Sequence, residues 1–98
     1  MLSSKQRAFL KSLASNIDTI LMVGKGGITK EVIKQADDAI LKRELIKGKV
    51  LNNSDMTPLE VARQIAKETG AEVVQVIGTK FILFKKNIKE PKIELPRK

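Results

Sequence analysis

A five-residue apolar run, Thr19-Ile20-Leu21-Met22-Val23, ends at the glycine cluster Gly24-Lys25-Gly26-Gly27. The run is too short for a helix and has no polar interruption, so it reads as a buried strand. Past the glycines, Thr29 is a plausible N-cap for a helix reaching about Lys42. Val32, Ile33, Ala36, Ala39 and Ile40 recur on one side of it. Residues 45–51, Leu-Ile-Lys-Gly-Lys-Val-Leu, again have strand composition, and Gly48 in their middle suggests a bulge or a close backbone approach. Strand, helix and strand in that order imply a right-handed parallel crossover. A chain that contains this unit must build a sheet with a helix packed on it.

The flanking segments complete the pattern. Ser3 or Ser4 can cap a first helix to about Asn16, with Phe9, Leu10, Leu13, Ala14 and Ile17 as its core stripe. Arg7 and Lys11 share one edge of that stripe, and Lys5 lies on the other. A third helix starts at a Thr57-Pro58-x-Glu60 capping box, with Met56 and Val61 placed as a hydrophobic staple and Gly70 as its stop. Residues 73–77 and 80–85 are β-rich and flank Gly78-Thr79, the signature of a hairpin. The expected order is α-β-α-β-α-β-β. The expected fold is an α/β (α+β) two-layer sandwich on a four-stranded mixed sheet, formed by residues 1–86 as one domain. Residues 87–98 follow as a basic tail in which Pro91 and Pro96 argue against a further helix.

Composition narrows the chemistry. The 98 residues contain no Cys and no His, which removes disulfides, thiolate nucleophiles, the commonest general base and the commonest metal ligands. Asp37 and Asp38 are adjacent on a helix and so point about 100° apart, which suits surface pairing and not a shared acid–base role. No serine has a visible base partner. The expectation is a non-enzyme with no cofactor, no metal and no small-molecule substrate. No apolar stretch approaches the ~20 residues of a membrane span and no signal-peptide pattern is visible, so a soluble, cytoplasmic, monomeric protein is expected.

Lys and Arg number 19 against 11 Asp and Glu, a net charge of +8, which points to an anionic partner. The excess is localised. Residues 1–34 carry 6 cations and 2 anions, residues 35–84 carry 7 of each, and residues 85–98 carry 6 and 2. The glycine cluster lies between a strand and a helix start, where backbone N–H groups and the helix dipole favour an anion. Gly24, Gly26 and Gly27 leave room for a phosphate, Lys25 adds charge at the tip, and Thr29, Lys30 and Lys34 flank it. The spacing is neither a P-loop nor a dinucleotide fingerprint, since Thr29 stands where the third glycine of the latter belongs. Gly24-x-x-Gly27 enclosing a lysine is the pattern with which KH-type domains clamp a nucleic-acid backbone. The aromatics are three Phe only. Phe9 reads as core, and Phe81 and Phe84, three apart on a strand, face opposite sides. Binding is therefore expected to rest on phosphate and shape, not on base stacking.

These residues resemble a known family. Lys5-Gln6-Arg7 with Leu10-Lys11, Val23-Gly24-Lys25-x-Gly27-Ile28-Thr29, and Glu44-Leu45-Ile46-Lys47-x-Lys49-Val50 are similar to the YhbY-type CRM domain (chloroplast RNA splicing and ribosome maturation). Thr69-Gly70 and Val74-Gln75-Val76-Ile77-Gly78 extend the likeness to about residues 2–86. The resemblance implies a fold similar to the C-terminal domain of translation initiation factor three. It also implies RNA binding, with ribosomal RNA of the large-subunit precursor as partner during assembly. Its binding surface carries over onto Gly24, Lys25, Gly26 and Gly27, with Arg7, Lys11, Lys30 and Lys34 as additions. Gly48 and Arg43 depart from the family pattern, which usually has a β-branched residue and often a His there. The competing expectation is a protein-interaction or regulatory adapter whose charge only solubilises it. A DNA-binding module is disfavoured because no recognition helix is visible.

Overall fold

The computed structural model describes residues 2–97. Met1 and Lys98, the latter counted among the tail cations, lie outside the described residues. The elements are α1 (Ser4–Ala14), β1 (Thr19–Val23), α2 (Lys30–Arg43), β2 (Leu45–Val50), α3 (Pro58–Thr69), β3 (Glu72–Ile77) and β4 (Lys80–Phe84). Local chemistry sets the helix ends. Ser3 caps α1 and Thr57 caps α3, each completing a capping box, with Gln6 and with Glu60 respectively. Gly70 ends α3 at φ 80°, and Lys85 Nζ donates to the last-turn carbonyl of Thr69 at 2.8 Å.

The four strands form one mixed sheet in the order β1-β2-β4-β3. β1 and β2 are parallel, and β4 runs antiparallel to both β2 and β3. β1, β2 and β3 therefore all start at one end of the sheet and finish at the other. α2 and α3 pack on one face around Leu21, Val23, Ile46, Val50, Phe81 and Leu83. α1 lies on the opposite face, where Leu10 and Ala14 cover Leu45, Val74, Ile82 and Phe84. The sandwich of sheet and two helices thus carries a third helix on its back. Alternation along β2 and β4 puts apolar residues on both faces and makes that cover necessary.

Two details refine the expectations. β1 is an edge strand, and its second face is not covered: Met22 is 60% exposed between buried Leu21 and Val23. Gly48 marks a close approach and not a bulge. A Cβ there would lie 2.2 Å from Cζ of Phe81, its partner across the β2–β4 ladder. The register shifts fall elsewhere, between Thr19 and Leu21 and between Val73 and Gln75.

The segment after β4 folds back on the domain. Asn87 Nδ2 donates to the Leu41 carbonyl at 2.9 Å, and Gln6 Nε2 donates to the Pro96 carbonyl at 3.0 Å. Ile93 and Leu95 pack against the α1-side core without forming a strand. Its anchor is Glu44, wholly buried, whose carboxylate accepts from the backbone N–H groups of Asn87, Lys92 and Ile93.

Candidate nucleic-acid interface

The glycine loop is built at the finishing end of the sheet. Leu51 N donates to the Val23 carbonyl at 2.8 Å, fixing the end of β1 beside the end of β2. Gly27 N then donates to the Gly24 carbonyl at 3.0 Å, closing a four-residue turn with Gly27 at φ 68°. That φ strains any residue with a Cβ, so the glycine at 27 follows from the turn. Lys25 and Gly26 form the exposed tip, and a Cβ at Gly26 would meet nothing within 4 Å. Gly24 is different: its Cβ would lie 3.3 Å from both Asn53 Oδ1 and Leu51 Cδ1. The 51–55 loop therefore abuts the glycine loop.

Two residues beyond the turn, Thr29 takes an extended conformation and its Oγ1 accepts from Val32 N at 3.2 Å, capping the 14-residue α2. The cap satisfies one of the N–H groups at the helix start. The others stay directed outward beside the turn, with the positive end of the helix dipole behind them. Lys30 and Lys34 are exposed on the first two turns and border a groove between α2 and α3 with Ile28, Ile33 and Gln64. Asp37 and Glu68 close the far end of this groove. Its charge is thus positive beside the glycine loop and negative away from it, which favours an anion at the loop end only.

Gly24, Lys25, Gly26, Gly27, Thr29, Lys30 and Lys34 accordingly form one continuous surface. Arg7 and Lys11 do not join it. Arg7 donates through one guanidinium nitrogen to the carbonyls of Val73 and Val74 near the start of β3. β3 is the opposite edge strand from β1, and its start is the opposite end of the sheet from the glycine loop. Leu51 and Asn53 beside Gly24 were not singled out from the sequence. The signal was nevertheless present, since in a parallel strand–helix–strand unit the loops after both strands emerge at the same end.

Among the described residues two carboxyl groups have displaced pKa values, and neither lies in this surface. Burial pushes the Glu44 carboxyl up, but the three backbone N–H donors and the charge of Lys86 together hold it below its ordinary value. The backbone and side-chain hydrogen bonds of Thr57 hold Glu60 down in its capping box. Among the described residues no group of three or more His, Cys, Asp or Glu is placed to hold a metal ion, and no helix is long and apolar enough to cross a membrane.

Comparison with known proteins adds the relationship. The family model for the CRS1 / YhbY (CRM) domain matches residues 2–85. The Bacillus subtilis (strain 168) protein named "Probable RNA-binding protein YqeI" is 41% identical over 96 residues, spanning 98% of this chain and 100% of that protein. A Haemophilus influenzae protein named "RNA-binding protein" is 39% identical over 97 residues, spanning 99% of this chain and 97% of its own. The solution structure of the Staphylococcus aureus protein SAV1595 matches with a TM-score of 0.81 at 45% identity, over 98% of this chain and all of that one. Matched in sequence from α1 to the end of β4 and in fold over nearly its full length, the chain belongs to the CRS1 / YhbY (CRM) domain family.

Proposed function

We propose that this protein binds RNA by its phosphate backbone at the glycine loop, and that it acts in maturation of the large ribosomal subunit. The observation that carries the first part is the exposed Lys25-Gly26 tip set against the capped start of α2. A phosphate resting there meets backbone N–H groups without a Cβ in the way, and Lys25, Lys30 and Lys34 neutralise it and its neighbours. Relatives named as RNA-binding proteins along nearly their whole length support the same partner. The ribosomal role rests on the likeness of the Val23–Thr29 and Glu44–Val50 motifs to the YhbY-type domain.

The test is Lys25→Glu combined with Gly26→Asp, assayed by filter binding to single-stranded fragments of large-subunit precursor RNA. Both side chains project into open solvent, so the thermal midpoint should stay within a few degrees of wild type while binding is lost. Unchanged binding by this folded variant excludes the loop as the site. For the ribosomal role, the protein should co-sediment with large-subunit precursors and leave them after nuclease or high-salt treatment. Retention on those particles after both treatments favours the adapter reading, in which protein contacts hold it.

A further inference from the structure

The sheet face that carries α1 is covered over one end only. Strand alternation places Met22, Lys47, Lys49, Lys80, Gln75 and Ile77 on that face, because Leu21, Val23, Ile46, Val50, Phe81, Leu83 and Val76 point into the α2–α3 side. The register aligns them: Met22 pairs with Lys49, Lys49 with Lys80, and Lys80 with Ile77, a row that crosses all four strands. Met22 and Ile77 are each 60% exposed, Lys80 is exposed, and Lys47 and Lys49 are half-buried.

Like charges directly opposite on neighbouring strands destabilise a sheet. Here Lys49 faces Lys80 directly, Lys47 lies two residues from Lys49 on the same face, and this row and its neighbour carry no carboxylate. No hydrogen bond or ion pair among the described residues engages the ammonium group of Lys47, Lys49 or Lys80. The arrangement costs the free protein stability, and an anion lying across the row would relieve it. α1 adds to the same charge. Its Gln6 flank faces the tail at Pro96, whereas Arg7, and Lys11 one turn further on, lie on the flank directed at Val73 and Val74.

We infer that this open half of the sheet is a second RNA surface, which holds a single-stranded segment across the strands. The phosphates lie along Lys47, Lys49 and Lys80, and bases rest on the apolar ends of the row at Met22 and Ile77. The inference rests on the RNA-binding reading above but uses none of the glycine-loop residues. Arg7, held on the Val73 and Val74 carbonyls toward the opposite end of β3 from Ile77, lies on the covered half of the same face and outside the row.

The test compares wild type, Lys49→Gln with Lys80→Gln, and the loop variant by fluorescence anisotropy on a single-stranded RNA of about 20 nucleotides. The face variant should bind roughly tenfold more weakly at low salt. The magnitude of its log–log salt slope should fall by about 1.4, the share of two phosphates. Its thermal midpoint should equal or exceed that of wild type, since a like-charge pair has been removed. Equal affinity and slope in wild type and face variant overturn the second surface while leaving the loop reading intact. If wild type binds no RNA, both fall. If wild type instead binds an acidic polypeptide through this row and RNA is indifferent to it, the occupant is a protein and the inference is wrong.

Discussion

Replacing Glu44 should release the C-terminal segment, and the structure sets the scale of the effect. Glu44 Oε2 accepts from Asn87 N at 2.7 Å, and Oε1 accepts from Lys92 N and Ile93 N, both at 2.6 Å. Glu44→Gln keeps the shape and one accepting oxygen, but its NH₂ group then confronts the Asn87 N–H, donor against donor. Hydrogen bonds to a charged group contribute ~1.5–3 kcal/mol each. Losing one and weakening two would cost more than that if the tail stayed docked, yet the tail can leave and give its amides to water. The loss is therefore capped by the docking free energy of half-buried Ile93 and Leu95, about 2 kcal/mol. Hydrogen exchange at Asn87, Lys92 and Ile93 reads it directly: protection should fall roughly 30-fold in the variant at neutral pH, at 1.4 kcal/mol per decade. The same carboxylate makes docking pH-dependent. Its folded pKa lies below the ordinary 4.5, so its contribution is complete above that value and is lost as pH falls through the folded pKa. After correction for intrinsic exchange, wild-type protection should therefore decline in acid, whereas the Gln variant should be flat. Glu44→Gly and Glu44→Ala separate side chain from backbone: both release the tail, but Gly also removes about 1–3 kcal/mol of strain at φ 64°, ψ −42°, a region side chains rarely adopt, and should leave the domain more stable than Ala. Undiminished protection in the Gln variant would refute the anchoring role.

Further outcomes follow from packing and from charge. Gly48→Ala should cost about 3 kcal/mol, measured by chemical denaturation, because its Cβ would overlap the Phe81 ring, and Phe81→Leu should recover part of the loss. An unaltered midpoint would mean the ring swings aside freely. Affinity for single-stranded RNA should fall with salt at a log–log slope of about −0.7 per neutralised phosphate, and a flat response would exclude phosphate contacts as the main term.

Much of this was legible from residue types because the signals are local. The Thr57-Pro58-x-Glu60 box, Gly70 after the last apolar repeat, and the Gly78-Thr79 hairpin each act within a few residues, and the structure places them as the sequence implies. The glycine loop was legible for the same reason, since a strand, a turn and a helix cap follow one another in the chain. What was hidden depends on long-range register. Lys49 and Lys80 are 31 positions apart, and only the β2–β4 pairing makes them face each other. The Glu44 anchor was invisible because it needs an unusual backbone angle at the end of α2 and a tail that returns from more than forty residues away. The resemblance places Arg7 with the loop, as one of the basic residues that accompany it, and the fold does not bring the two together. The short α1–β1 connection does not reveal which face α1 takes, and that face decides what Arg7 reaches.

Phosphates held at the start of α2 would register in amide chemical-shift mapping during titration with a single-stranded RNA of about 12 nucleotides. The largest perturbations should fall at Lys25, Gly26 and Gly27 and through Lys30 to Lys34, with Leu51 and Asn53 following because they abut Gly24. Saturating RNA binding that leaves the amides of residues 24–34 unmoved would contradict a phosphate site there.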